Sequence, residues 1–160
     1  MSRVERAYIG LGANLGDAVT TLHTVLKELR GSPGVLYCEP SRFYRTAPVE
    51  ATGPDYINAV AALDTSLAPL ELLDLLQALE TRHGRQRPYP NAPRTLDLDL
   101  LLHGDTQMDS ARLILPHPRM HERAFVLAPL HELAPDLVLR QGPVSQLLAG
   151  LSGQWVQQLD

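Results

Sequence analysis

Between residues 96 and 102 every second residue is leucine, and the positions between hold Asp97, Asp99 and Leu101. A period of two predicts a β-strand with Leu96, Leu98, Leu100 and Leu102 on one face and Asp97 and Asp99 on the other. Residues 35–46 alternate in the same way and carry Tyr37, Phe43 and Tyr44, with Pro40 inside the run predicting an edge or a bulge. Residues 6–11 and 56–63 complete a set of four strands. Two stretches instead show helical spacing. Leu22, Val25, Leu26 and Leu29 follow Asp17, a candidate N-cap, and stop at Gly31 and Pro33; Leu72, Leu73, Leu76 and Leu79 follow Pro69 and stop at Gly84.

The resulting order is βαββαβ, which predicts an α+β sandwich of the ferredoxin-like type, with antiparallel neighbours and helices on one side of the sheet. Extra C-terminal elements follow: a proline-rich bend over 113–118 and a short helix over 123–133. The tail from 141 to 160, with Gly142, Gly150 and Gly153, carries little pattern. Loops at 47–55 and 85–93 are longer than most connections, a common property of segments that close over a ligand. No repeat or linker divides the chain, so residues 1–160 read as one domain, large enough to bury a core without staples.

Two carboxylates on one strand face, about 7 Å apart along the backbone, repel each other and resist burial unless a cation or several donors sit between them. Hard oxygen ligands suit Mg²⁺, which is usually held by one or two carboxylates while water and substrate phosphates fill the remaining positions. The same pattern also describes the solvent side of a half-buried edge strand. The distribution of cations favours the metal. Lysine occurs once, at Lys27, whereas Arg82, Arg85, Arg87 and Arg94 crowd the segment before the aspartates and Arg112, Arg119 and Arg123 follow it. The planar fork of arginine suits two-point contacts to phosphate.

Fourteen basic against eighteen acidic residues, a formal charge of −4, argue against a broad nucleic-acid-binding face. The single cysteine, Cys38, rules out an internal disulfide and reads as a buried hydrophobe in a reducing compartment. With no long apolar run, a cytoplasmic protein without membrane contact is expected. The Gly10-x-Gly12-x-x-x-Gly16 run falls one residue long for a dinucleotide turn and reads as a tight turn between strand and helix. His117 and His121 have a helical metal-ligand spacing that Pro118 spoils, so His117 reads instead as a donor to phosphate. Asn58 interrupts an apolar strand, either to bond loop backbone or to meet the edge of a heterocycle. Tyr44, Tyr56 and Phe125 are stacking surfaces or core.

Several ordered segments together resemble the 6-hydroxymethyl-7,8-dihydropterin pyrophosphokinase family of folate biosynthesis. They are Tyr8-Ile9-Gly10-Leu11-Gly12-Ala13-Asn14-Leu15-Gly16, Ser41-Arg42-Phe43-Tyr44-Arg45-Thr46-Ala47-Pro48, Pro54-Asp55-Tyr56-Ile57-Asn58-Ala59, Pro93-Arg94-Thr95-Leu96-Asp97-Leu98-Asp99 and Leu115-Pro116-His117-Pro118. The resemblance implies a ferredoxin-like fold and transfer of pyrophosphate from ATP, the co-substrate, to a pterin alcohol, releasing AMP. It implies two Mg²⁺ ions on Asp97 and Asp99, with Arg85 and Arg94 beside them in the catalytic set. ATP would meet Gln77, Glu80, Arg85, Arg87, Arg94, Leu100, Arg112, Ile114, His117, Pro118 and Arg123. The pterin would meet Thr46, Ala47, Pro48, Val49, Tyr56, Asn58 and Phe125. The chain departs from many members in having Pro90 and Asn91 where a basic and an aromatic residue are common, and Ala47 where a proline is common.

The expected partners are therefore two small molecules and no nucleic acid, acting on a monomer. Two other classes share some of these features. A different Mg²⁺-dependent nucleotidyl or phosphoryl transferase would use the same aspartates without needing Asn58. A ferredoxin-like RNA reader would need exposed aromatics on a basic sheet, which a chain with two phenylalanines and an acidic balance does not offer.

Overall fold

The computed structural model describes residues 3–14, 17–47, 55–83 and 96–159. The first part of the chain forms β1 (Glu5–Ala13), α1 (Ala18–Arg30), β2 (Val35–Pro40), β3 (Tyr44–Thr46), β4 (Tyr56–Thr65), α2 (Pro69–His83) and β5 (Asp97–His103). Then follow the hairpin β6 (Met108–Asp109) and β7 (Ile114–Leu115), a 3₁₀ turn (Met120–Glu122) and α3 (Ala124–Leu133). The chain closes with the hairpin β8 (Val138–Leu139) and β9 (Gly142–Pro143), α4 (Val144–Ala149) and β10 (Val156–Gln158).

The main sheet runs β10-β3-β4-β1-β5, with β2 also on β4, and all its pairings are antiparallel. This is the ferredoxin-like α+β arrangement expected from the strand and helix order. Asp17 caps α1 as predicted, its carboxylate accepting from the Thr20 amide at 3.0 Å. One face of the sheet buries Ile9, Leu11, Leu98 and Leu100 against Leu22, Leu26 and Leu29 of α1 and Leu72 and Leu76 of α2. Each such leucine contributes about 1.5–3 kcal/mol when fully removed from water.

The structure corrects the sequence reading in four places. The strand expected over 35–46 is two strands. Pro40 has no amide to extend β2, the Ser41 hydroxyl accepts from the Val60 amide at 3.0 Å, and the Arg42 amide turns away to the Glu132 carboxylate. Helices lie on both faces of the sheet, because Val126, Leu127 and Leu130 of α3 and Val144 of α4 pack with Val60 and Leu101 in a second core. Leu102 does not share a face with Leu100. The β1–β5 register shifts between Tyr8 and Ile9, which leaves Leu101 as an extra residue, and Leu102 opposite Tyr8 packs against the second core. Finally, Gly12 lies inside β1, which runs on to Ala13, rather than in a turn after residue 11.

Cys38 is buried, as expected, and burial raises its thiol pKa. Among the described residues no helix is long and apolar enough to cross a membrane.

Candidate active site

The central strand β1 arranges the site by what it lacks. Directly paired residues of antiparallel strands point to the same face of a sheet. Gly12 pairs with Asn58 of β4 on one side and Asp97 of β5 on the other, and Gly10 pairs with Val60 and Asp99. The amide and both carboxylates therefore rise on either side of a strip that carries no side chains. Neither glycine has a positive φ, and of the two it is Gly12 whose space a side chain would invade, since a Cβ on Gly10 would meet Leu101 at an ordinary 3.7 Å. A Cβ on Gly12 would lie 2.9 Å from Asn58 Oδ1, and one on Gly10 would lie 3.9 Å from Asp99 Cβ.

Asn58 is buried and its Nδ2 donates to Thr46 Oγ1 at 2.7 Å. This bond holds the carboxamide with its oxygen over Gly12. Tyr44, opposite Asn58 on β3, is core: it is 6% exposed and its hydroxyl donates to Glu132 at 2.7 Å. Burial and that carboxylate raise its pKa well above the ordinary tyrosine value. Tyr56 is half-buried at the start of β4, Thr46 is buried, and Ala47 is exposed at the end of β3.

On the β5 side Asp97 is half-buried and Asp99 exposed, with Leu98 turned into the core between them. Glu80 of α2, 8% exposed, accepts from the Leu98 amide at 2.9 Å and so ties the helix to the peptide linking the two aspartates. Leu100 points into the first core, away from the aspartate face. Arg112 leans onto α2, its guanidinium 2.6 Å from Asp74 and 3.2 Å from Gln77.

The third wall comes from the bend after β7. The His117 amide donates to Leu101 O at 2.9 Å, which brings the ring to the end of β5. His117 Nδ1 accepts from the Arg119 amide at 3.1 Å, leaving the proton of the neutral ring on Nε2 as a donor. Burial lowers its pKa, with Arg123 and Arg119 acting in the same direction against the opposing field of Asp99. Arg123 stands over Phe125, 5.6 Å from the ring centroid, and Phe125 packs half-buried on the second core. Ile114 and Pro118, both exposed, line with His117 a cleft of about 420 Å³ that extends to Arg140. Arg85, Arg87, Arg94, Pro48 and Val49 lie outside the described residues.

The structure thus brings Asn58, Thr46, Asp97, Asp99, His117, Arg123 and Phe125 to one face and end of the sheet. Sequence reasoning missed Gly10 and Gly12 as its floor, although glycine in a strand interior is itself a mark of close approach.

Fold and site together define the class: a ferredoxin-like α+β domain that sets an acidic pair and an amide across a bare glycine strip, under a wall of histidine and arginine. The chain belongs to the 7,8-dihydro-6-hydroxymethylpterin-pyrophosphokinase (HPPK) family, whose model matches residues 8–135. It is 45% identical over 150 residues to the 2-amino-4-hydroxy-6-hydroxymethyldihydropteridine pyrophosphokinase of Haemophilus influenzae, covering 93% of this chain and 92% of that one. With the protein of the same name from Pseudomonas aeruginosa it shares 43% over 158 residues, covering 98% of both. Among solved structures, the wild-type Plasmodium falciparum HPPK-DHPS with SDX-DHP matches with a TM-score of 0.76 at 13% identity, a likeness of fold alone. That match covers 96% of this chain and 45% of the solved one.

Proposed function

We propose that this chain transfers the pyrophosphoryl group of ATP to the hydroxymethyl oxygen of 6-hydroxymethyl-7,8-dihydropterin, and that the described site does this chemistry. The observation that carries the assignment is the pair Asp97 and Asp99 on the open face, opposite glycines that leave room for a ligand. Among the described residues no group of three or more histidine, cysteine or acidic side chains stands ready to hold a metal. Two carboxylates suit Mg²⁺ that takes its other ligands from water and phosphate, and two such ions are proposed. When bound, the metal neutralises triphosphate charge and makes the acceptor hydroxyl more acidic.

The chain's own residues then position the reactants. Asn58, oriented by Thr46, offers its oxygen to a donor edge of the pterin, and Tyr56 and Phe125 offer faces to the ring. Nε2–H of His117 and the guanidinium of Arg123 donate to phosphate oxygens, joined by Arg85, Arg87 and Arg94. The hydroxymethyl oxygen attacks the β-phosphorus in line, the bond from that phosphorus to the bridging oxygen of the α-phosphate breaks, and AMP departs with that oxygen. The hydroxyl proton passes to solvent. Positioning and charge neutralisation supply most of the rate in such transfers. Action as a monomer is part of the same proposal, as is a cytoplasmic setting that suits the single buried cysteine.

Replacing Asp97 or Asp99 by alanine tests the assignment. Both variants are expected to lose turnover while keeping the wild-type circular dichroism spectrum. Near-normal turnover in both would overturn it.

A further inference from the structure

The C-terminal tail touches both walls of the site. The carboxamide of Gln154 bridges the start of α3: its Oε1 accepts from the Ala124 amide and its Nε2 donates to the Glu122 carbonyl, both at 2.9 Å. Those two groups lie immediately on either side of Arg123. Arg123 is the extended N-cap residue of α3 (φ −119°, ψ 109°) and makes no side-chain cap of its own. The Ala124 amide is one of the helix-start donors that have no partner within the helix, and Gln154 supplies its acceptor. Two residues further on the tail becomes β10, which pairs with β3 and sets Val156 opposite Thr46. The Leu159 amide then donates to Phe43 O at 2.8 Å.

We propose that Gln154 is a positioning residue of the transfer reaction, pinning the backbone on both sides of Arg123 so that this guanidinium and the Phe125 ring face the β3 wall held by the same tail. The inference rests on the roles proposed above for Arg123 and Phe125. A carboxamide is the side-chain group that offers a donor and an acceptor in one plane, as this bridge requires. Gln154 is itself exposed and outside both cores, so its loss leaves the packed interior intact. What changes is the path of the chain at Arg123. Trp155, the chain's one tryptophan, follows it directly and is 53% exposed, so its fluorescence reports whether β10 remains docked.

The test measures affinity for a non-hydrolysable ATP analogue with Mg²⁺ in four proteins: wild type, Gln154→Ala, Arg123→Ala and the double variant. Gln154→Ala is expected to weaken binding about tenfold, the scale of a lost hydrogen-bonded constraint, with Trp155 emission unchanged. In the Arg123→Ala background the same substitution should weaken binding no further, because the group it positions is gone. Gln154→Glu keeps the acceptor for Ala124 and loses the donor to Glu122, and should fall between. Wild-type affinity in Gln154→Ala, or an equal loss with and without Arg123, would overturn the inference while leaving the role of Arg123 standing. Wild-type affinity in Arg123→Ala would refute that role, and the inference with it.

Discussion

Substitution of Gly12 by alanine tests how the site is built more sharply than removal of a functional side chain. The added methyl would sit 2.9 Å from Asn58 Oδ1, closer than real Cβ contacts come. Among the described residues no other heavy atom outside the adjoining chain lies within 4 Å of it. The backbone at Gly12 has no positive φ, so alanine is acceptable to the strand itself. Relief must therefore come from rotation of the Asn58 carboxamide, which breaks its 2.7 Å bond to Thr46 and withdraws its oxygen from over Gly12. A buried hydrogen bond lost in this way costs about 1–3 kcal/mol, or roughly a five- to 150-fold weaker affinity if the pterin contact is lost with it. Calorimetric titration with 6-hydroxymethyl-7,8-dihydropterin reads the effect, and titration with an ATP analogue and Mg²⁺ should change less than about twofold, because the methyl meets no aspartate. In an Asn58→Ala background the glycine substitution should have no further effect on pterin affinity. Wild-type pterin affinity in Gly12→Ala would refute the reasoning.

Two further outcomes follow from the contacts around the site. Glu80→Ala leaves the Leu98 amide without its buried acceptor and should lower both stability, by about 1–3 kcal/mol, and turnover, while Glu80→Gln, which keeps an acceptor oxygen, should retain most of each; urea unfolding and a rate assay on both variants decide it. Glu28 of α1 reaches His83 at 2.6 Å and Arg82 at the end of α2, and although burial opposes it, those hydrogen bonds hold its carboxyl below the ordinary glutamate value of 4.5. A depressed folded-state pKa gives stability that is present above the unfolded value and lost as pH falls through the folded one. Wild type should therefore exceed Glu28→Gln by about 0.2–1 kcal/mol near pH 7, and the gap should narrow as pH falls below the ordinary glutamate value of 4.5. A gap that does not narrow as pH falls would contradict this reading.

Five segments of the fold were legible because each announces itself locally: short apolar runs for β1 and β4, alternation for β5, and a 3.6-residue stripe for α1, with its Asp17 cap, and for α2 after Pro69. What local pattern missed depends on contacts made far along the chain. The break between β2 and β3 is held by the Ser41 hydroxyl, which accepts from Val60 of β4, and by Glu132, ninety residues from the Arg42 amide it receives. The slip at Leu101 is invisible in a run of leucines, since any of them can face either core. In the site, Asp97, Asp99 and Asn58 stood out as polar residues in apolar strands. Gly12 was misread as part of a turn, and Gly10, though read inside the first strand, was given no part in the site, because their place between Asn58 and the two aspartates is visible only in the register. Arg112, expected at the triphosphate, stands beside Asp74 and Gln77 of α2, the latter a member of the same expected set. The tail carried no pattern because its side chain of interest, Gln154, bonds to backbone thirty residues upstream.

The most direct test of the central claim is to follow the adenine nucleotides formed from ATP with 6-hydroxymethyl-7,8-dihydropterin and Mg²⁺, beside controls lacking the pterin or the metal. Attack at the β-phosphorus in this site predicts AMP, equal in amount to a diphosphorylated pterin, only when all three are present, and no ADP. Formation of ADP, or of AMP without the pterin, would contradict it.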